Sequence, residues 1–497
     1  MIKKKSYSIL KRVEINFCPF FILFFLSTFS YGQYTFSKEC ENAYNEILKL
    51  KIKNGKSLLQ NINNKESKAI VLYLENYADV ISVFISDELK QYEALYPASN
   101  GRVEQISKMD KKSPYYLFIL SEIKLQWAFI KIKFGDEVAG MWDIRQAYLM
   151  LEENNQKFPD FLPNKKTFGI MNILVGSVPD KYTWVTNVAG MRGNISTGIK
   201  LLEDASSKPN PFNLEASIIK IAAENYILSK EDISIANISA LYKENNDNLL
   251  LAFLNASILM KNSHDEEALN VLSQRPVSDE YIIFPYLHLM EGDILLHKGN
   301  YQEAIEKYAL FLKDQKGSNF IKDAYYKLFL CFWLNNENAR AEKYLKKVLY
   351  NGKAVYDADR YAQQFAERNE LPDKNIMKCR LFTDGGYYEE ALTLFNSIQS
   401  ETLGTEDKVE YTYRLGRLYQ KTGELTKAIE CYEKTIAHAP TEGNYFGPNA
   451  CLQLGYLYRN KDREKAKKYF EQALSYKNYH YKNSIDNKAR GALNELR

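Results

Sequence analysis

The feature that most limits how this chain can fold is a pattern of small and aromatic residues that recurs in its second half. In "LGRLYQKTGELTKAIECYEKTIAHAP", the small residues Gly416, Gly423 and Ala428 stand at fixed intervals among aromatic and aliphatic residues. The same offsets recur around Gly292 and Gly455. Such a period indicates stacked helical hairpins, each of which buries its apolar face against its neighbours.

One alanine marks each copy of the pattern. Successive alanines are 36, 37, 50, 37 and 38 residues apart, and they are Ala268, Ala304, Ala341, Ala391, Ala428 and Ala466. The copies around Ala268 and Ala341 are the weaker ones. The longest interval contains residues 351–375, which predict an additional helix and a loop.

The small residues predict how each hairpin closes. Gly416 and Ala428 should lie where the two helices come closest, because larger side chains would push the axes beyond about 8 to 10 Å. Gly423 falls in the turn, where a positive φ costs glycine little. Pro440 should end the second helix, since proline lacks the N–H that a helix interior requires.

This pattern resembles the tetratricopeptide repeat, which has a period of about 34 residues. The matching positions are Leu415, Gly416, Tyr419, Ala428, Tyr432 and Pro440. The resemblance implies a right-handed α-solenoid of helical hairpins with a concave groove. Apolar residues at three- and four-residue intervals predict helices in the first half as well. We therefore predict an all-α chain with a helical N-terminal domain, residues 34–247, and a repeat domain, residues 248–497.

A glycine-rich stretch, residues 168–202, lies at the centre of the N-terminal half. It resembles the central motif of the family that includes tetratricopeptide repeat protein 39 and the fungal inclusion-body clearance protein. The resemblance rests on Phe168, Gly169, Gly176, Ser177, Pro179, Lys181, Gly190, Gly193, Gly198, Leu201 and Leu202. That family is cytosolic and partly linked to lipid droplets and organelle membranes. What the resemblance implies for this chain is fold, not activity.

Two other interpretations of this stretch fail on its residues. A phosphate-binding P-loop needs Gly-Lys-Ser/Thr after a strand, and both are missing. A membrane hairpin would use residues 168–191, but Asp180 and Lys181 divide them into apolar pieces of about ten residues, too short to span a bilayer. We predict two buried helices that flank a turn at residues 178–180.

The first 33 residues predict a secretory signal peptide. Five basic residues precede an uncharged apolar run, residues 15–29, and a polar segment follows it. A helix needs about 20 residues to span a bilayer, so a retained membrane anchor is the alternative rather than the main prediction. Cys18 stands at the start of the run, which argues against a lipidated N-terminus. We expect an exported protein, periplasmic or associated with an outer membrane.

Removal of this segment changes the charge balance. The full chain has 66 Lys/Arg and 62 Asp/Glu, and the segment holds five of the former and one of the latter, which leaves 61 of each. A neutral chain offers no bulk electrostatic attraction for nucleic acid, whose binding depends on phosphate neutralisation. We therefore expect no nucleic-acid partner.

The sequence contains no recognisable catalytic or metal-binding motif. We find neither a His-x-x-x-His pair, nor zinc spacing, nor a Gly-x-Ser-x-Gly elbow. We expect the acidic residues on solvent faces and most of the remaining thiols in the core. Those thiols belong to Cys40, Cys331, Cys379, Cys431 and Cys451. The prediction is a non-enzymatic chain without cofactor or metal.

The concave groove is the candidate functional site. The resemblance to the tetratricopeptide repeat places seven side chains on its inner surface: Arg380, Tyr413, Arg417, Gln420, Asn449, Tyr456 and Arg459. Guanidinium groups bind carboxylates bidentately and tyrosine adds rigid contact area, so these residues predict a site for a protein or peptide. The alternative is that the arginines pair with neighbouring acids such as Glu410.

The predicted function is an exported scaffold that binds a protein or peptide partner in the groove. A membrane-associated, lipid-handling protein of the cell envelope is the alternative. Apolar inward residues in the N-terminal half would favour lipid, whereas polar and aromatic ones favour peptide. The sequence does not show which kind of residue faces inward in the N-terminal half, and it does not define the oligomeric state.

Overall fold

The computed structural model describes residues 33–178, 190–368, 370–479 and 481–496. Within these ranges the chain forms twenty-four α-helices and no β-strand, which confirms the predicted all-α fold class. The signal peptide was predicted for residues 1–33, and all of them except Gln33 lie outside the described residues. Export therefore stays a prediction.

In the described part of the N-terminal half the chain forms ten helices. Among the described residues, one helical stretch, Lys65–Ser86, is long and apolar enough to cross a membrane by length and composition, and 61% of its most apolar part is buried inside the fold. The helices are α1 (Lys38–Leu48), α2 (Ile52–Gln60), α3 (Lys68–Ser86), α4 (Leu89–Ser107), α5 (Pro114–Lys133), α6 (Glu137–Lys157), α7 (Leu162–Gly176), α8 (Ile195–Ser207), α9 (Asn213–Tyr226) and α10 (Glu231–Glu244).

The C-terminal half contains six helical hairpins, which the alanine markers predicted. Each marker alanine is buried in the second helix of its hairpin. The helices are α11 (Leu249–Lys261), α12 (Asp265–Ser273), α13 (Tyr286–Lys298), α14 (Tyr301–Asp314), α15 (Ile321–Leu334), α16 (Asn338–Tyr350), α17 (Asp357–Arg368), α18 (Lys374–Gly385), α19 (Tyr388–Ser397), α20 (Thr405–Lys421), α21 (Leu425–His438), α22 (Phe446–Tyr458), α23 (Arg463–Ser475) and α24 (Lys482–Glu495).

The hairpins close through a contact between a glycine and an aromatic ring. A Cβ atom at Gly416 would lie 3.0 Å from Cε1 of Tyr432, and one at Gly455 would lie 2.4 Å from Cε1 of Phe470. Gly423 has a φ of 82°, as expected for a turn glycine. The predicted roles of both kinds of glycine are therefore confirmed.

This contact makes a stability prediction. Replacing Gly416 by leucine should lower the free energy of unfolding by roughly 1 to 3 kcal/mol, because the new side chain would overpack the hairpin against Tyr432. Thermal or urea unfolding measures this loss. Gly101→Leu is the matched control, since Gly101 is also helical but a Cβ there meets no atom within 4 Å. Equal stability of both variants would contradict the proposed contact.

The glycines of the central stretch allow α7 and α8 to pack closely. A Cβ at Gly198 would lie 2.6 Å from the carbonyl oxygen of Gly169, and one at Gly193 would lie 2.6 Å from the backbone nitrogen of Gly176. These positions exclude larger side chains because the obstacle is backbone. The first predicted helix of the pair corresponds to α7, whereas residues 179–189, which include most of the predicted turn and the residues after it, lie outside the described residues.

The additional helix predicted between the hairpins is α17. It packs against α15 and α16, and the following helix α18 packs against its partner α19 and also against α13 and α20. The helix α18 therefore contacts a hairpin that lies two hairpins earlier in the chain.

The two halves also share packing. The side chain of Leu50 shares a core cluster with Leu249 and Leu287. Buried Asp87 accepts hydrogen bonds from the backbone N and from Nδ2 of Asn319, at 3.1 and 2.7 Å. The helices of both halves therefore surround one interior space, and the domain boundary at residues 247/248 remains a prediction.

Candidate functional site

A cavity of about 2150 Å³ occupies the space that the two halves surround. Its C-terminal wall comes from the inner faces of α18, α20, α22 and α24. Its N-terminal wall comes from the ends of α7 and α9 and the start of α8, and the end of α11, the first helix of the C-terminal half, adjoins it. The cavity is thus a concave repeat surface with a second wall that the sequence analysis did not assign.

All seven side chains predicted for the groove line this cavity: Arg380, Tyr413, Arg417, Gln420, Asn449, Tyr456 and Arg459. They come from α18, α20, α22 and the residue after α22, so repeat register brings them together as expected. Gln420 accepts a hydrogen bond from the Tyr432 hydroxyl at 2.5 Å, and its Nε2 donates to Gln453 at 3.2 Å. Their placement is observed, and their role in binding peptide remains a prediction.

The expected pairing with Glu410 involves a different arginine. Nε of Arg414 lies 3.1 Å from Oε1 of Glu410, and Nη2 of Arg414 donates to the Tyr445 hydroxyl at 2.5 Å. Nε of Arg380 lies 3.5 Å from Oδ2 of Asp384. The alternative, in which arginines pair with neighbouring acids, therefore describes Arg414 and in part Arg380.

Arg417 lies among tyrosines. Burial alone would lower its pKa, but Tyr432, Tyr413 and Asp384 act in the opposite direction, and the net effect raises it. The guanidinium group thus keeps its positive charge inside the cavity.

The cavity carries more positive than negative charge. Nine basic side chains line it, and they are Arg192, Lys261, Arg380, Arg414, Arg417, Lys421, Arg459, Lys488 and Arg490. Five acidic ones do so, namely Glu231, Asp265, Glu266, Glu267 and Asp384. The net charge predicted for the exported chain is close to zero, but positive charges are concentrated in this cavity.

Three lysines of this wall were missed by the sequence analysis. Lys421 follows Arg417 by one helical turn, so the inward face of α20 could have predicted it. Lys261 and Lys488 belong to α11 and α24, which lie at the two ends of the C-terminal half. No sequence pattern relates those two helices, so their presence at one cavity could be seen only in the folded chain.

Tyrosines line the cavity on several sides. Seven of them do so, and they are Tyr226, Tyr387, Tyr388, Tyr413, Tyr445, Tyr456 and Tyr481. Tyr481 joins distant parts of the array, since its ring centroid lies 6.0 Å from that of Tyr361 on α17 and 5.4 Å from that of Tyr445. Tyrosines combine apolar area with a hydrogen-bonding hydroxyl, which suits peptide contacts.

The N-terminal wall contains a group of apolar side chains beside polar ones such as Arg192 and Asn194. Seven aliphatic or methionine side chains line it, and they are Leu174, Val175, Val178, Met191, Ile195, Ile227 and Leu228. The sequence analysis did not predict which residues of the N-terminal half face inward. The cavity therefore combines a wall that contains an apolar group with a cationic, tyrosine-rich wall.

The thiols are buried, as predicted, and burial raises the pKa of the Cys431 thiol to about 11 and that of Cys379 to about 12. Among the described residues, no group of three or more His, Cys, Asp or Glu side chains could hold a metal ion. The expectation that acids lie on solvent faces is wrong in part. Glu122 and Glu291 are 4% and 3% exposed, because each has cationic partners in the core.

The fold and the cavity define an all-α protein of stacked helical hairpins. Residues 409–442 and 448–480 match family models described as Tetratricopeptide repeat, so this part of the chain consists of tetratricopeptide repeats. The matched segments are the hairpins α20–α21 and α22–α23, which carry six of the seven predicted groove residues. These repeats place the chain among protein-interaction scaffolds, a class that is typically non-enzymatic.

Comparison with whole proteins adds little. No curated protein matches the chain. A solved structure of an IFIT1 monomeric mutant with Gppp-AAAA is 13% identical over 88% of this chain and 89% of its own, with a TM-score of 0.37. Yeast Tom70 is 14% identical over 91% and 96%, with a TM-score of 0.23. The Rap protein complexed with competence and sporulation factor is 12% identical over 92% and 98%, with a TM-score of 0.23. TM-scores this low do not establish a shared global arrangement.

Proposed function

We propose that the chain is an exported scaffold whose cavity binds an acidic peptide segment, or the C-terminal carboxylate, of a protein partner. The single observation that carries this proposal is the surplus of basic side chains beside tyrosines on one cavity wall. An extended peptide fits a cavity of about 2150 Å³, and guanidinium groups recognise carboxylates with charge-assisted hydrogen bonds.

Arg417 and Arg459 are the side chains on which we test the proposal. Arg417 belongs to α20, and Arg459 directly follows α22, the first helix of the next hairpin, so we expect one extended segment to reach both. Each charge-assisted bond should contribute about 1.5 to 3 kcal/mol. Arg417→Ala combined with Arg459→Ala should therefore weaken binding of fluorescein-labelled octaglutamate at least tenfold, because about 1.4 kcal/mol corresponds to a factor of ten.

Fluorescence anisotropy with the full chain measures this change, and a thermal melt checks folding. Arg340→Ala combined with Arg368→Ala is the matched control. It removes the same charge from two exposed arginines that are absent from the cavity wall. The proposal is wrong if the cavity variant binds octaglutamate as well as the control does. A labelled oligonucleotide of equal charge tests the expected exclusion of nucleic acid.

The apolar group of the N-terminal wall supports a second candidate, the lipid-handling function. An anionic lipid could place its chain against residues such as Leu174 and Ile227 and its head group against the cations. Lauric acid is a suitable probe, because it combines one carboxylate with an alkyl chain. Competition of lauric acid with octaglutamate would place both ligands in the cavity. Binding of lauric acid alone would favour the lipid function over the peptide function.

The N-terminal sequence supports export as part of the proposal, with a periplasmic or outer-membrane-associated location and peripheral contact with the membrane. Mass spectrometry of the protein from its native cells should find a mature N-terminus near Gln33. Recovery of an intact Met1 in the membrane fraction would contradict export by a cleaved signal peptide.

A further inference from the structure

Four cationic side chains meet in the cavity although they come from three separate helices. Lys261 belongs to α11, Arg417 and Lys421 to α20, and Lys488 to α24, and all four line the cavity wall. Nζ of Lys261 donates to the carbonyl oxygen and to Oδ1 of Asn225, at 2.6 and 2.9 Å, and both acceptors are neutral.

The acids do not balance this cluster. Nζ of Lys421 lies 3.9 Å from Oε2 of Glu231. That is the one ion pair of Lys261, Arg417, Lys421 or Lys488 within the part of the chain that the structure describes. Among the described residues, four positive charges therefore face one directly paired carboxylate, Glu231, and the more distant charge of Asp384.

Electrostatics supports the same conclusion. Desolvation lowers the pKa of Lys261, Glu231 acts against this, and the neighbouring Lys488 and Lys421 lower the pKa further, so that the net effect is a lowered pKa. The Lys488 side chain is open to the cavity, yet desolvation by the walls and repulsion from Arg417 lower its pKa as well. An anion between these groups would relieve the repulsion.

The wall also contains a donor without an acceptor. Nε of Arg490 is buried and has no hydrogen-bond partner among the described residues, whereas Nε of Arg380 has the carboxylate of Asp384 at 3.5 Å. Both arginines line the same cavity as the four cations. Buried donors normally find a partner, so Nε of Arg490 points to an acceptor that a ligand supplies.

We propose that Lys261, Arg417, Lys421 and Lys488 form a binding site for a phosphoryl group on the partner peptide. One carboxylate would neutralise a single charge. A phosphoryl group carries about −1.5 to −2 at pH 7 and has three acceptor oxygens, and lysine binds it as a point charge. Delivery of the group by a peptide rests on the proposed function, whereas the anion site itself does not.

The site is tested with inorganic phosphate and the full chain by isothermal titration at constant ionic strength, with acetate as the comparison. Phosphate should bind at least tenfold more tightly than acetate. Lys261→Gln combined with Lys488→Gln should weaken phosphate binding at least tenfold. Lys108→Gln combined with Lys346→Gln should not, because both lysines are exposed and absent from the cavity wall. Equal binding of phosphate and acetate, or an unchanged cavity variant, would overturn the site.

A second titration identifies what carries the group. An octapeptide with one phosphoserine among glutamates should bind at least tenfold more tightly than its serine version, and the Lys261/Lys488 variant should lose that gain. A gain for lysophosphatidate without one for the phosphopeptide would overturn the peptide as carrier. Phosphate binding without octaglutamate binding would refute the proposed peptide function and leave the anion site intact.

Discussion

Replacing Lys166 by methionine should lower the free energy of unfolding by about 3 to 5 kcal/mol, because it leaves one buried and one partly buried carboxylate without their cation. Lys166 is 1% exposed. Its Nζ lies 3.3 Å from Oε2 of Glu122 and 2.9 Å from Oε2 of Glu215. Burial alone would lower the pKa of Lys166, but these two carboxylates raise it, so the lysine stays charged in the core.

Tyrosine hydroxyls complete this network. Tyr44 and Tyr77 donate to Glu215 at 2.5 and 3.1 Å, and Tyr73 donates to Glu122 at 2.9 Å. The network thus joins α1, α3, α5, α7 and α9, which explains why the loss of one charge should affect the whole N-terminal half.

Urea unfolding measures the Lys166→Met effect. Lys157→Met is the control, because Lys157 is 56% exposed in its ion pair with Glu153, and it should change stability by less than about 1 kcal/mol. Adding Glu122→Gln to the Lys166→Met variant should recover part of the loss. If Lys166→Met unfolds like its control, the buried charge network is not a determinant of stability.

The second large effect depends on pH and concerns Glu291. Burial alone would raise its pKa, but His288, Lys307 and Arg275 lower it from 4.5 to about 2. Oε1 of Glu291 lies 2.5 Å from Nη1 of Arg275, and Oε2 lies 2.9 Å from Nζ of Lys307. A shift of this size corresponds to about 3 kcal/mol of stability at neutral pH.

The sign follows from the lowered pKa. The stabilisation is complete above pH 4.5, the unfolded value, and is lost as the pH falls through the folded value of about 2. Glu291→Gln should therefore be less stable than the original chain by about 3 kcal/mol at pH 7, and the difference should shrink steadily between pH 5 and pH 3. Urea unfolding across this range measures it.

Glu342→Gln serves as the control for this series. Glu342 also pairs with a lysine, Lys346, but both side chains are exposed, so its replacement should have little effect at any pH. A difference for Glu291→Gln that stays constant between pH 7 and pH 3 would contradict the charge-based explanation.

The hairpins could be predicted from sequence because their determinants are local. The partners of Gly416 and Gly455, Tyr432 and Phe470, lie 16 and 15 residues away in the same repeat. The position of a residue within the repeat also predicted whether its side chain faces the groove, as for Arg417. These features depend on helical periodicity, which a single sequence displays directly.

The cavity with its two walls and the buried charges could not be predicted from helical periodicity. Lys166 and Glu122 are 44 residues apart, and no periodicity links them. The contact between α18 and α13 skips the hairpin α15–α16, and no repeat period predicts such a contact. The sequence indicated an additional helix but not its packing, so the second wall and its Lys261 were missed.

Hydrogen–deuterium exchange with and without octaglutamate tests the central claim most directly, because it locates the ligand without a mutation. Bound peptide should slow exchange in the cavity-lining helices Thr405–Lys421 and Phe446–Tyr458. Exchange in the paired helices Leu425–His438 and Arg463–Ser475, which contribute no residue to the cavity wall, should change less. Protection confined to those paired helices, with the cavity-lining helices unchanged, would contradict the assignment of the cavity as the binding site.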